Sequence, residues 1–228
     1  MQLRRLVPVA LAVILAGCSF QVGSSDGSSE TASSGGGASQ GDSGTSEDGV
    51  EAGQSELDLG NALITVGDLP NGFSPADDLD DEGEEEALCE AGGQTVTVAA
   101  VDDAGTGFVD GNGTLVLHGI EQHEPGGPGR ELEAMRQESA ACDGEVIDGL
   151  PSSVEAMIFP QVGEDTAAFR ITQQQNGVTL TFDIVAFQTG DLVSYVAVVG
   201  TCGCPPEFLI GLARLAEERA ADLVGVPA

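Results

Sequence analysis

His118, Glu121, His123 and Glu124 are the one run in the chain that combines imidazoles with carboxylates. Imidazoles and carboxylates are the usual nitrogen and oxygen ligands of zinc and similar ions. The spacing works against such a site. Side chains alternate faces along a strand, so positions five apart point to opposite sides. The two imidazoles would converge only if a strand ended near Ile120. The acidic run from Asp77 to Glu86 raises calcium instead. Counted from Asp78, Asp80 and Glu82 fall at positions three and five of an EF-hand loop and Gly83 at six, but position twelve is Cys89 rather than the closing glutamate. The run reads as a solvated loop. Cys202-Gly203-Cys204 has the form of a redox pair, yet no neighbouring His or Lys would lower a thiol pKa. There is no Gly-x-Ser-x-Gly elbow, and a chain without lysine has no P-loop. Arg170 and Asp183 fall among strand residues and read as a solvent-facing cross-strand ion pair. The expectation is a protein with no catalytic residue, no metal and no cofactor, and not an enzyme.

The remaining reactive group is Cys18. Met1 to Arg5 is a basic start, Leu6 to Ala16 is an apolar run, and Leu15-Ala16-Gly17-Cys18 closes it. The apolar run suits a signal peptide and falls short of the ~20 residues that cross a bilayer. Small residues before a cysteine resemble a bacterial lipobox, in which the thiol is diacylated and residues 1–17 are removed. Two acyl chains hold a protein on a membrane stably, where one does not. Arg4-Arg5 leaves twin-arginine export open beside the general route. Residues 18–56, the acylated cysteine and the segment that follows it, are rich in Gly, Ser and acid, with few apolar side chains to offset ordering entropy. A flexible linker of ~37 residues reaches ~35 Å on average, so the segment reads as an extended tether. Localisation would be the outer side of the cell membrane.

The chain has 228 residues and a net charge of −31, with seven Arg and no Lys. Removing residues 1–17 takes away two arginines and no acid, which makes the balance −33. Such a charge excludes nucleic acid and flat adsorption to anionic lipid, since both need cations to neutralise phosphates.

The elements that would carry these residues lie in 57–228, expected to be one α+β domain. Asn61 to Val66 is a short apolar segment, and Gly67 to Phe73 a turn-rich entry loop. Gln94–Val101 and Thr114–Gly119 read as strands, the second with Leu115 and Leu117 on one face. A helix from about Arg130 to Ala141 aligns Leu132, Met135, Ser139 and Cys142 at spacings of 3, 4 and 3. Val154–Phe159 and Thr166–Thr172 read as strands. Gln175-Asn176-Gly177 is a hairpin turn signal. Val178–Phe187 alternates with Leu180, Phe182, Ile184 and Ala186 on one face and Thr179, Thr181 and Asp183 on the other. Leu192–Val199 follows with the same period, making an antiparallel meander. A helix from about Pro206 to Leu223 buries Leu209, Leu212, Ala213, Ala216 and Ala220. An antiparallel sheet with one polar face and helices packed on the other completes the expected fold.

Cys89, Cys142, Cys202 and Cys204 are an even set that suits two disulfides in an exported domain. Cys89–Cys142 with Cys202–Cys204 is the favoured pairing. Cys202 or Cys204 bonded to Cys89 is the alternative.

The order of parts resembles the extracellular sensor-like domains of mycobacterial receptor Ser/Thr kinases and of related actinobacterial lipoproteins. The resemblance is carried by the lipobox and tether, Leu63, Asp68-Leu69-Pro70-Asn71-Gly72-Phe73, Cys89, the helix leading to Cys142, the meander and the closing helix. It implies a disulfide-stabilised α+β domain with a ligand-binding cleft and no catalysis. It carries over no site residue, and no kinase is attached. The functional expectation is a lipid-anchored, extracytoplasmic binding or sensor-like module. Its partners would be the membrane through its anchor and a small molecule, lipid or cell-wall ligand, with no nucleic acid. The alternative is a structural or accessory envelope lipoprotein acting through protein contacts.

Overall fold

The structure is a computed structural model, and it describes residues 57–76, 98–147, 150–201 and 203–225. The longest strands are built from the clearest period-2 segments. Thr166–Gln175 (β6), Val178–Thr189 (β7) and Leu192–Gly200 (β8) form the meander. Asn176 and Gly177 both take positive φ, 52° and 81°, the backbone that a two-residue type I′ hairpin demands.

Around the meander stand Phe73–Pro75 (β1), Asp102–Asp110 (β2), Leu115–Gln122 (β3), Val146–Ile147 (β4) and Leu150–Ala156 (β5). All eight strands pair antiparallel in the order β1-β2-β3-β8-β7-β6-β5-β4. The edge strands are three and two residues long, and such short edges leave little backbone to recruit another chain. Gly127–Ala141 (α1) and Pro206–Val224 (α2) are the α-helices among the described residues. Short 3₁₀ turns at Leu59–Ala62 and Val66–Asp68 precede β1.

The α+β class stands, and the layering corrects the expectation of one covered face. Leu132 and Met135 of α1 join Leu117, Phe182, Ile184, Tyr195 and Ala197 in one buried cluster. Leu209, Leu212, Ala213 and Ala216 of α2 join Val116, Val185, Phe187, Val196 and Val198 in another. These two sets alternate along the same strands, so the helices lie on opposite faces. Each fully buried Val, Leu or Phe contributes about 1.5–3 kcal/mol, and a sheet apolar on both sides needs both covers.

Three boundaries also move. Residues 98–101 of the expected Gln94–Val101 strand are not strand, and residues 94–97 lie outside the described residues. The strand is Asp102–Asp110 instead, paired with β3 over its length from Asp102↔Gln122 to Val109↔Leu115. Helix α1 begins at Gly127, with Pro128 in its first turn. The strand placed at Val154–Phe159 runs Leu150–Ala156.

Candidate functional site

The sheet divides the His/Glu run. His118 points to the α2 face, where it is fully buried. Its Nδ1 accepts the Ile64 N–H at 3.0 Å. Its Nε2 has no hydrogen-bond partner. Burial, reinforced by the Arg219 charge, lowers its pKa to about 3. Glu121 and His123 point to the α1 face. The Glu121 Oε2 accepts the Tyr195 hydroxyl at 3.1 Å and lies 3.2 Å from His123 Nε2. Burial lowers the His123 pKa against the opposing charge of Glu131 on α1. Glu124 is exposed. Among the described residues no three metal-ligating groups converge. Glu121, His123 and Tyr195 are all buried. The arrangement holds the ends of β3 and β8 beneath α1.

Arg219 of α2 makes a junction that the sequence did not announce. It donates to the Leu63 carbonyl and to both Asp68 carboxylate oxygens, at 2.8 and 2.7 Å. Asp68 Oδ2 also accepts the Thr65 N–H and hydroxyl, each at 2.7 Å. Desolvation is the largest influence on Asp68 and raises its pKa. The Thr65 bonds and Arg219 together outweigh it, and the carboxyl lies below its ordinary value. The partners are 151 residues apart, beyond the reach of any local motif.

On the α2 face of β5, β6 and β7, side chains towards the 176–177 turn are polar and partly exposed. Rows across the strands become more polar in that direction. Met157, Ala168, Val185 and Val196 form a row against α2. Next come Glu155, Arg170, Asp183 and Val198, then Ser153, Thr172 and Thr181. Ser153, Thr172 and Thr181 are half-buried, and Thr179, Gln174 and Glu155 are exposed. Arg170 donates to Asp183 through Nε at 2.5 Å and Nη2 at 2.8 Å. The bond to Asp183 is the main cause that raises the Arg170 pKa, over a burial effect that lowers it. The pair is not solvent-facing as expected: the Asp183 side chain is 5% exposed against 37% for Arg170. The result is a row of hydroxyls beside one guanidinium.

Cys142 is fully buried at the C-cap of α1. Cys204 is half-buried and packs against the α2-face core. Cys18, Cys89 and Cys202 lie outside the described residues, as does the acidic run from Asp77 to Glu86.

No family model matches the chain, and no curated protein does. Among solved structures it is similar to the crystal structure of the extracellular domain of PknH from Mycobacterium tuberculosis. The TM-score is 0.40 and the identity 8%, over 57% of this chain and 68% of that one.

Proposed function

We propose that the chain is a lipid-anchored, non-catalytic binding or sensor-like module on the extracytoplasmic side of a cell membrane. In this reading residues 1–17 are a signal peptide, Cys18 carries the lipid, the tether extends to residue 56, and 57–228 form one domain. The observation that carries it is Leu15-Ala16-Gly17-Cys18 at the end of a basic and apolar leader. No helix among the described residues is long and apolar enough to cross a membrane. An even set of four cysteines after Cys18 fits the same compartment.

The ligand surface in this reading is the row Ser153, Thr172 and Thr181 beside Arg170. An accessory role through protein contacts has one specific support, Ile158, which is fully exposed in the connection after β5.

Metabolic labelling with a palmitate analogue tests the anchor. Label on the parent and none on Cys18→Ala, with release of the variant from membranes, is the expected result. Equal retention of both chains overturns it. Binding is tested by thermal shift with solubilised cell-wall fragments and lipids, for the parent and for Thr172→Trp. A shift that the variant loses supports the surface. No shift with either preparation counts against a binding role, and a stoichiometric surface cross-link to another protein favours the accessory one.

A further inference from the structure

Residues 59–64 lie across the sheet as a strap without regular pairing to it. Leu59, Ala62 and Ile64 are buried. The backbone of the strap is tied at two neighbouring points. The Ile64 N–H donates to His118 Nδ1, and the Leu63 carbonyl accepts from Arg219. Immediately after it, Thr65 and Asp68 close on one another, and Arg219 grips Asp68 with two bonds. The strap therefore has a fixed foot at 65–68.

The tie at Ile64 depends on a proton being absent. A neutral imidazole offers one acceptor nitrogen, and here that nitrogen is Nδ1. A second proton would turn Nδ1 into a donor facing the Ile64 N–H. The other nitrogen is buried and has no acceptor either. The charged group acting on this ring is Arg219 from α2, whose charge opposes an imidazolium and which also engages Asp68. The register neighbours on β2 and β8 are Thr106 and Val196, which do not titrate. An imidazolium thus has nothing to bond in the closed arrangement and gains water once the strap lifts.

We infer that residues 59–64 are an acid-released strap: a solvent proton taken up at His118 breaks the Ile64 bond and frees the strap from β3 and α2. The foot at 65–68 and the eight-stranded pairing stay in place. Freed, the strap uncovers the apolar surface under Leu59 and Ile64. The inference stands independently of lipid attachment at Cys18.

Amide exchange of the full chain tests it, with protection factors measured at Ile64 and along β7 and β8 from pH 6.0 to 4.5. One proton taken up at an open-state pKa near 6.5 increases opening about 25-fold over this range. Protection at Ile64 should fall by that factor while staying below that of β7 and β8 throughout. His118→Gln, whose side-chain oxygen accepts without titrating, should give a flat profile at Ile64, and Asp68→Asn should keep the slope. Flat protection in the parent overturns the inference. So does an Ile64 amide as protected as those of β7 and β8 and falling in step with them, since opening would then be global unfolding. The parent profile alone decides if His118→Gln fails to fold.

Discussion

Arg170 and Asp183 stand directly opposite one another on β6 and β7 and share two bonds, with the carboxylate buried and the guanidinium at the surface. The two sides of the pair therefore differ in what their loss leaves behind. Arg170→Met strands a buried carboxylate. Breaking fully buried pairs costs 3–5 kcal/mol, and solvent access to Arg170 reduces this to about 2–3 kcal/mol. Asp183→Asn leaves the half-exposed guanidinium to water and should cost ~1 kcal/mol. Urea unfolding of both variants reads the order, and an Asp183 variant worse than the Arg170 variant would contradict it.

The same row shows what the sequence could and could not disclose. Val178 to Val199 alternates so regularly that both strands and their inward faces were legible. The opposite face was misread because Thr179, Thr181 and Asp183 come first. Val185 and Phe187, further along it, are buried under α2, so the polarity belongs to the turn end alone. Strand β2 was hidden for another reason. Asp102, Asp103, Gly105 and Gly107 disfavour a strand by propensity, and pairing with β3 overrides it. The grip of Arg219 on Asp68 had no sequence signal, because only the fold brings α2 to the entry segment.

Tyr195→Phe removes the hydroxyl that donates to Glu121 at 3.1 Å. The ring still fills its place in the α1-face core. A typical intramolecular hydrogen bond is worth about 0.5–1.5 kcal/mol, and more where a buried acceptor is left unsatisfied, so the expected cost is about 1–2 kcal/mol. A variant as stable as the parent by chemical denaturation would show that Glu121 does not depend on Tyr195.

Acid should weaken the fold well above the range where carboxylates titrate. His118 stays neutral in the folded state down to about pH 3, whereas an unfolded histidine takes a proton near pH 6.5. Its contribution is therefore complete above pH 6.5 and is lost progressively as pH falls towards 3. By pH 4.5 the loss from His118 is about 2–3 kcal/mol. His123, also lowered, shifts stability the same way. Asp68, Asp110 and Asp165 are lowered as well, and their contributions persist until pH approaches their folded values below 3.8. Unfolding free energies at pH 7.0, 5.5 and 4.5 should decline steadily, and less steeply for His118→Gln. A parent curve flat over this range would sink the assignment.

Gly163 and Gly177 separate backbone strain from close approach. Both have positive φ, 64° and 81°, where a side chain costs about 1 kcal/mol. Around Gly177 an added Cβ meets nothing within 4 Å. At Gly163 it would stand 2.2 Å from the Gln188 carbonyl oxygen. That oxygen accepts the Glu164 N–H at 2.9 Å, and Gln188 N donates to Asp165 at 2.9 Å. These bonds dock residues 161–165 on the end of β7. The contact is with backbone rather than a flexible tip, so Gly163→Ala must push the loop away. Val162 would lose burial, and Asp165 its position for the 2.6 Å bond from Arg136. Adding strain, a lost backbone bond and reduced burial gives about 3 kcal/mol for Gly163→Ala, against ~1 kcal/mol for Gly177→Ala. Thermal unfolding of the two variants side by side measures the difference. Equal losses would mean that the loop does not dock on Gln188 in solution.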